Sequence, residues 1–336
     1  MNYLVSVILC ILFSTACTEN PKVNPTDDLG EGVYIINEGN FDWGEGTITF
    51  WNQNTGVVYD NLFKKVNERT LGNVAQSMTA IGNYGYIVVN NSRKIEVVNA
   101  KDCKSVATIE GMVSPRYILP IDDKKFYVSD LYADGVYVVF ANEVVKKIPV
   151  SGWTNRMALD KNGYVWVARR RTDFDLRPGG NSVILIDTST NEVVDSVEVG
   201  KGVEEMEVDE NGAIWTACTV FHNGDYPALV KIENKNLHVY RTEFPIFRLR
   251  INRNFIYFLM NGGLYKMAIH NTILPEKPIF SGTGNLYGIG TSDGYLYISD
   301  AKDYVQRGTV YRLNMQGNIL DSVKAGVIPG EFCFID

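Results

Sequence analysis

The amino-acid sequence predicts an all-β fold, a seven-bladed β-propeller whose ring is closed by the C-terminal strand pairing with the N-terminal blade. One observation is a short strand, clearest at 164–169, that recurs seven times at spacings of 39 to 53 residues, as propeller blades do. A second is that six of its seven equivalent positions are aromatic. The positions are Tyr34, Ile87, Tyr127, Trp166, Trp215, Tyr257 and Tyr297. The third is a strand-like C-terminus, residues 326–334, that has no partner in its own unit.

The N-terminus is typical of a lipoprotein signal. Residues 4–13 form an apolar run that is too short to span a bilayer. The run leads into Ser14-Thr15-Ala16-Cys17, which resembles the lipobox of bacterial lipoproteins. We therefore expect a lipoprotein signal peptide over residues 1–16, a lipidated Cys17 with a flexible tether over 17–30, and the propeller over 31–336. A plain secreted protein is the alternative.

Charge argues against a nucleic-acid-binding protein, and cysteine usage argues against a disulfide framework or a cysteine metal site. The net charge is −7 and the pI about 5.2, so nucleic-acid phosphate would be repelled and we expect no nucleic-acid partner. Beyond the N-terminal segment, the cysteines are Cys103, Cys218 and Cys333, in three different repeats. This odd, widely spaced set matches neither a disulfide framework nor a metal site, so we expect small, buried thiols.

Each repeat contains four predicted strands, a to d, and the recurring strand is strand b. Strand c follows it, at 48–51, 95–98, 136–139, 183–186, 229–232, 264–267 and 310–313. A polar turn then leads to strand d, which alternates in polarity, as in 193–199.

Strand a opens each new repeat, in most cases after a glycine such as Gly72, Gly111 or Gly152. The first repeat has no strand a at its own N-terminus. We expect the C-terminal stretch to supply it by pairing with residues 33–37. Because closure removes exposed sheet edges, the sequence predicts seven blades and no second domain.

In this topology the b–c and d–a loops lie on one face of the ring, which we call the loop face. The long b–c loops are 38–46, 169–180, 219–226 and 301–308. Long irregular loops on a rigid scaffold commonly carry function. The loop face is therefore the predicted functional face.

Polar residues recur where strand b ends. The candidate ligand contacts here are Asn37, Glu38, Asn90, Asn91, Asp130, Arg169 and Asp300. Amides and carboxylates suit a ligand that displays amide donors and acceptors. The alternative is that they end strands by bonding their own backbone.

Aromatic residues crowd the same loops. The candidate ligand contacts among them are Phe41, Trp43, Tyr132, Trp153, Phe221 and Tyr287, accompanied by Phe174, Tyr226, Phe247 and Tyr304. Exposed rings beside polar groups suit a large flat or amphipathic molecule. The alternative is packing between blades, and the binding hypothesis requires about half of the ten rings to be exposed.

One glutamine and five charged residues of strand a lie near the predicted axis. They are Gln76, Arg116, Arg156, Glu205, Arg248 and Glu331. They could form an anion site, for which Arg116 is a candidate contact, or pair with each other. Arginines oppose an axial divalent cation of the kind propeller lactonases bind, so no metal site is predicted.

Histidine is scarce, with three in the chain, and His222 alone reaches the loop face. It is a candidate ligand contact. No Ser–His–Asp or Cys–His arrangement can be argued from so few, so we predict no catalytic residue and no enzyme. If the chain were a lyase, His222 or Glu38 would be its general base.

Two stretches resemble known propellers. Residues 183–193 are similar to the strand–turn–strand unit of YncE-type (YVTN) propellers. Residues 33–157 resemble the surface lipoproteins of Bacteroidota-type bacteria in the YncE-like group that contains the BtuG cobalamin-capture proteins. That resemblance is carried by residues 36–41, 71–78, 89–92, 114–117, 128–132 and 152–154. It ends after Met157, so no binding residue of the group is carried over one by one.

The resemblance implies a cell-surface, outer-membrane lipoprotein. It would bind cobalamin or another corrinoid as cargo, with no catalytic cofactor, and deliver it to a TonB-dependent outer-membrane transporter. The alternatives are a surface propeller that binds a glycan or a protein, and a propeller lyase or lactonase.

Overall fold

The computed structural model describes residues 28–41, 44–170, 181–222, 224, 226–282, 284–292 and 294–335. In chain order the elements are β1 (Gly32–Asn37), β2 (Thr47–Asn52), β3 (Val58–Tyr59), α1 (Leu62–Asn67), β4 (Ala75–Ile81), β5 (Tyr84–Val89), β6 (Lys94–Asn99), β7 (Ser105–Ile109), β8 (Pro115–Pro120), β9 (Lys125–Asp130), β10 (Gly135–Phe140), β11 (Glu143–Pro149), β12 (Trp153–Leu159), β13 (Tyr164–Arg170), β14 (Ser182–Asp187), β15 (Glu192–Glu198), β16 (Gly200–Lys201), β17 (Met206–Val208), β18 (Ile214–Cys218), β19 (Val220–Phe221), β20 (Ala228–Glu233), β21 (Asn236–Arg241), β22 (Ile246–Asn252), β23 (Phe255–Met260), β24 (Gly263–Ala268), β25 (Phe280–Ser281), β26 (Leu286–Ser292), β27 (Tyr295–Asp300), β28 (Arg307–Asn314), β29 (Ile319–Val327) and β30 (Pro329–Ile335).

The strands form seven four-stranded antiparallel sheets, which confirms the predicted seven-bladed propeller. Blade 1 has the order β30-β1-β2-β3 from strand a to strand d. Blades 2 to 7 are β4–β7, β8–β11, β12–β15, β17-β18-β20-β21, β22–β25 and β26–β29. The seven a strands contact one another in sequence around the axis, with β30 between β26 and β4.

The C-terminal strand closes the ring as predicted. β30 pairs antiparallel with β1, and Tyr34 lies opposite Cys333. Both termini of the domain therefore contribute to one sheet. This arrangement leaves no open edge between the first and last blades.

The core lies between the blades. Seven apolar clusters fill the seven boundaries between neighbouring sheets. At the closure, Ile35 and Trp51 of blade 1 pack against Tyr297 and Val310 of blade 7. The closing boundary is thus an apolar interface like the other six.

The aromatic position of strand b also connects neighbouring blades. The Tyr34 hydroxyl donates to the carbonyl of Ala100 in blade 2 at 2.7 Å. The Tyr127 hydroxyl donates to Asn191 Oδ1 in blade 4 at 2.5 Å. These acceptors lie in c–d turns, so Tyr34 and Tyr127 fix blades 1 and 3 to the turn of the next blade.

Two local features were not predicted. Helix α1 packs Leu62, Phe63 and Val66 into the boundary between blades 1 and 2, beside the very short β3. A two-residue ribbon, β16 with β19, forms above blade 5. Within the described part of the chain, no helix has the length and apolarity needed to cross a membrane.

Cys103, Cys218 and Cys333 are free and buried, which confirms the interpretation of these thiols as buried apolar groups. Cys17 lies outside the described residues.

Candidate functional site

A cavity of about 610 Å³ opens at the loop-face end of the propeller axis. Its walls come from blades 1, 2, 3, 5, 6 and 7. The lining residues are Glu38, Gln76, Arg116, Glu204, Phe247, Arg248, Leu259, Met260, Gly262, Gly284, Asn285, Leu286, Tyr287 and Tyr304. Three of the predicted ligand contacts, Glu38, Arg116 and Tyr287, therefore meet in one cavity.

β-bulges turn the key side chains toward this cavity. In six of the seven blades the pairing of strands a and b shifts register near the loop-face end of strand a. Gln76, Arg116, Phe247 and Tyr287 lie inside four of these shifts. A bulge redirects a side chain that regular alternation would place elsewhere, and bulges often adjoin functional sites.

Glu38 and Tyr287 form the polar centre of the cavity. The Tyr287 hydroxyl donates to the Glu38 carboxylate, 3.1 Å from Oε1 and 3.2 Å from Oε2. Burial raises the pKa of Glu38, and the charges of Arg248 and Arg116 only partly oppose it. Burial and the nearby Glu38 also raise the pKa of Tyr287, so Tyr287 remains a hydrogen-bond donor at neutral pH.

Neighbouring groups hold both arginines of the cavity. Arg116 donates from Nε to Asn155 Oδ1 at 3.2 Å and from Nη1 to Gln76 Oε1. The Arg248 guanidinium lies 5.0 Å from the ring centroid of Tyr287, a cation–π distance. The two cations are thus fixed before any ligand arrives.

An ion-pair layer lies deeper along the axis. Arg250 bonds Glu205 Oε2 at 3.0 Å and both Glu331 oxygens at 3.1 Å, while Arg156 pairs with Glu331 and lies 3.7 Å from Glu205. Burial would raise the pKa of Glu205, but the surrounding arginines outweigh burial and lower it. Burial lowers the pKa of Arg156 to about 10. This layer has the mutual pairing that the ion-pair alternative predicts.

Two exposed aromatic rings, Phe247 and Tyr304, line the mouth of the cavity. Eight of the ten aromatic residues considered above are described, and four of these are exposed: Phe41, Tyr132, Phe247 and Tyr304. Tyr304 stacks edge-to-face on Tyr287 with ring centroids 5.9 Å apart. Exposed rings therefore continue directly from the polar cavity to the surface.

Several residues at the ends of strand b face backbone groups instead. Asp130 accepts hydrogen bonds from the backbone N–H groups of Val113, Ser114, Tyr132 and Ala133 at 2.7 to 3.0 Å. This is the turn chemistry of the alternative interpretation.

Asn37, Asn90 and Asp300 also form hydrogen bonds with backbone groups. Asn37 Oδ1 accepts from the Gly326 N–H at 2.9 Å, and Asn90 Nδ2 donates to the Pro115 carbonyl at 2.8 Å. Asp300 accepts from the Lys302 N–H at 2.8 Å. All three are buried, and none of them lines the axial cavity.

The remaining candidates lie elsewhere on the loop face. Arg169 is buried and donates to the Ser151 carbonyl at 3.0 Å and to Ser182 Oγ at 2.7 Å. Trp153 stacks edge-to-face on Tyr132 at 5.5 Å.

Phe221 and His222 line a separate cavity of about 320 Å³ beside the β16–β19 ribbon. Asn91 donates weakly to the Phe41 carbonyl at 3.4 Å. Trp43 lies outside the described residues.

Sequence reasoning missed part of the cavity. Glu204, Asn285 and Leu286 were not considered, although each lies at or just before the start of a strand a. Arg250 and Glu207 of the deeper layer were also missed. The d–a junctions were the available signal, because they converge on the axis in every blade. Within the described residues no group of three or more His, Cys, Asp or Glu side chains is placed to hold a metal ion.

Known structures of low sequence identity share the fold. A quinoprotein alcohol dehydrogenase-like protein of Bacteroides thetaiotaomicron aligns with a TM-score of 0.71 and 15% identity, covering 92% of this chain and 79% of that one. The periplasmic gluconolactonase of Pseudomonas aeruginosa aligns with a TM-score of 0.65 and 12% identity over 91% of this chain and 99% of that one. A putative 6-phosphogluconolactonase of Bacteroides fragilis aligns with a TM-score of 0.65 and 11% identity, covering 91% of this chain and 98% of that one. At these identities the likeness shows the propeller fold alone.

No curated protein matches the chain significantly. A family model does match, over residues 31–311, which is most of the predicted propeller domain. The chain belongs to the family described as a domain of unknown function, DUF5074.

Proposed function

We propose that this chain is a cell-surface lipoprotein that captures a small molecule in its axial cavity and passes it to a TonB-dependent outer-membrane transporter. The proposed ligand is cobalamin or a related corrinoid. The chain would bind it as cargo and perform no chemistry on it.

One observation carries the binding role: the axial cavity joins fixed polar groups to an exposed aromatic rim. Its volume of about 610 Å³ lies within the range of roughly 300–1,000 Å³ typical of small-molecule sites. The polar groups are already held by Tyr287, Gln76 and Asn155, and such preorganisation lowers the cost of binding.

The chemistry of the walls supports a corrinoid. A corrinoid displays carboxamides around a broad macrocycle. Gln76, Asn285 and Arg116 can donate to carboxamide oxygens, and Glu38 can accept from carboxamide N–H groups. The exposed rings of Phe247 and Tyr304 would extend the contact to a ligand larger than the cavity itself.

The proposed location rests on the sequence. The lipobox-like segment ending in Cys17 would attach the chain to a membrane, and the resemblance of residues 33–157 to surface propellers favours the outer membrane. A tether of 13 residues between Cys17 and residue 31 would let the domain lie close to a transporter.

Titration of the mature protein with cyanocobalamin tests the ligand. We expect heat of binding by calorimetry and a shift of the visible spectrum at micromolar concentration. Phe247→Ala should weaken binding about five-fold or more, since the loss of an aromatic contact that contributes about 1 kcal/mol has that effect. Phe140→Ala is the matched control, because Phe140 is also exposed, 49% against 61% for Phe247, but lies at a c–d turn, away from the loop face.

Absence of both heat and spectral shift would rule out a corrinoid as the ligand. Quenching of tyrosine and tryptophan fluorescence by a polysaccharide, lost in Phe247→Ala, would then favour a glycan as the ligand of the same cavity.

A further inference from the structure

We propose that the axial cavity recognises an anionic group of its ligand, a phosphate or a carboxylate, through the guanidinium groups of Arg248 and Arg116. This inference rests on the proposed binding role of the cavity and adds the class of chemical group bound at its floor.

The four axial arginines fall into two sets. Arg156 and Arg250 lie in the deeper layer, where Glu205 and Glu331 neutralise them at short range. Arg116 and Arg248 lie one level higher and line the cavity. The upper set is therefore the one that a ligand can reach.

Arg248 has an unused donor. The residue is 9% exposed, and its Nε–H has no hydrogen-bond partner among the described residues. Nη1 donates to the Phe247 carbonyl at 3.1 Å and lies 3.6 Å from Glu205 Oε1, beyond a hydrogen bond. A buried, unpaired donor on a charged group is costly, so the protein's own acceptors leave this guanidinium incompletely satisfied.

Both guanidinium groups are held in place. Tyr287 lies under Arg248 at 5.0 Å, and Gln76 and Asn155 accept from Arg116. Guanidinium groups bind carboxylate and phosphate oxygens in planar, bidentate geometry. Two fixed guanidinium groups on one cavity are therefore suited to a single anionic group.

Glu38 is the internal competitor for this anion. Arg248, Arg116 and Tyr287 face its carboxylate, and Glu204 and Tyr304 line the same cavity. Burial already raises the pKa of Glu38. A bound anion raises it further, so Glu38 takes up a proton on binding. Affinity should then increase as pH falls through the pKa of Glu38 in the complex, and level off below the lower pKa that Glu38 has in the free protein.

The test is calorimetric titration of the mature protein with dimethyl phosphate, sulfate and acetate as separate probes. Dimethyl phosphate and sulfate keep a constant charge across the window of about pH 5 to 7.5 used for the Glu38 test. We expect Arg248→Gln and Arg116→Gln each to weaken binding about ten-fold or more, because a hydrogen bond to a charged group contributes about 1.5–3 kcal/mol. Comparison of dimethyl phosphate with acetate distinguishes a phosphate from a carboxylate.

Two further variants separate recognition from folding. Glu38→Gln should bind dimethyl phosphate more tightly than the parent and lose the dependence on pH. Arg312→Gln is the control, because Arg312 pairs with Asp321 on the outer strands of blade 7 and should leave anion affinity unchanged. Circular dichroism of every variant verifies the fold.

The inference is overturned if no probe binds the parent protein, or if folded Arg248→Gln and Arg116→Gln bind as the parent does. A parallel titration with cyanocobalamin keeps the two proposals apart. Corrinoid binding without anion binding would contradict this inference and leave the proposed function standing. Anion binding without corrinoid binding would support this inference and contradict the proposed corrinoid ligand.

Discussion

At the scale of single residues, the hydroxyl groups of the strand b tyrosines differ in what they bond. Tyr34 and Tyr127 reach acceptors in the next blade. Tyr257 occupies the equivalent position in blade 6 and is fully buried, but its hydroxyl has no partner among the described residues. The same residue type therefore stabilises one boundary and leaves an unmet polar group in another.

This difference gives a matched pair of substitutions. Tyr34→Phe should lower the free energy of unfolding by about 1 kcal/mol, because it leaves the buried Ala100 carbonyl without its donor. Tyr257→Phe should be neutral or stabilising, because it removes a hydroxyl that is buried unpaired. Urea denaturation measures both, and equal losses in the two variants would contradict the assignment.

The three thiols of the propeller should be inert in the folded protein. Burial raises the pKa of Cys218 to about 11 and that of Cys333 to about 12, and it raises that of Cys103 as well. Thiolate, the reactive form, is therefore scarce at neutral pH. Labelling with iodoacetamide, located by mass spectrometry, should modify these cysteines only after denaturant is added. Rapid native labelling of any one of them would show that its environment is more open than described.

At the scale of elements, the start of strand a determines what faces the axis. Arg248 and Arg250 share one face of β22, as regular alternation predicts, with Arg248 in the cavity and Arg250 one step deeper in the ion-pair layer. The exposed Phe247, directly before Arg248, lies in the bulge and also lines the cavity. Sequence periodicity assumes an unbroken ladder, so it could not predict that the consecutive residues Phe247 and Arg248 both line the cavity.

The end of β9 gives a prediction about structure and binding together. Asp130→Ala should destabilise the protein by about 3 kcal/mol. Four backbone N–H groups donate hydrogen bonds to the Asp130 carboxylate and would lose this charged acceptor. Asp123→Ala is the control: Asp123 is exposed in the turn before the same strand, and its loss should change stability by less than about 0.5 kcal/mol.

Denaturation gives the stability of each variant, and titration with cyanocobalamin gives its affinity. An Asp130→Ala protein of parental stability but weakened affinity would instead support the ligand role predicted from the sequence.

At the scale of the whole molecule, the repeat determines the fold. Strand b recurs in every blade with an aromatic residue at six of its seven equivalent positions, and the unpaired C-terminal stretch had one free edge to join, so both blade number and closure were predictable. Helix α1 was not predictable, although the 53-residue interval between Tyr34 and Ile87 indicated an insertion between the b strands of blades 1 and 2. The site was predicted less completely. Whether Asp130 or Glu38 meets a ligand depends on which backbone N–H groups lie nearby, and residue type alone does not determine that.

Closure gives a prediction for the entire ring. A chain that ends at Val327 lacks β30, exposes the edge of β1 and removes Glu331 from Arg156 and Arg250. It should lose its cooperative thermal transition, as expected when a central strand and a buried counter-charge are both removed.

A circular permutant is the control for that truncation. Joining residue 335 to residue 32, which lie side by side in blade 1, and opening the exposed turn at Ser189 keeps every strand and should fold. A stable truncated chain would mean that β30 is dispensable for the ring.

The central claim is that this propeller holds a small molecule over its axis, at the loop face. A crystal structure of the mature protein grown with cyanocobalamin tests it most directly. The account predicts ligand density in the axial cavity, with contacts to Arg248, Tyr287 and Phe247. Ligand seated among the a–b and c–d turns, or on the flank of a blade with the axial cavity unchanged, would contradict it.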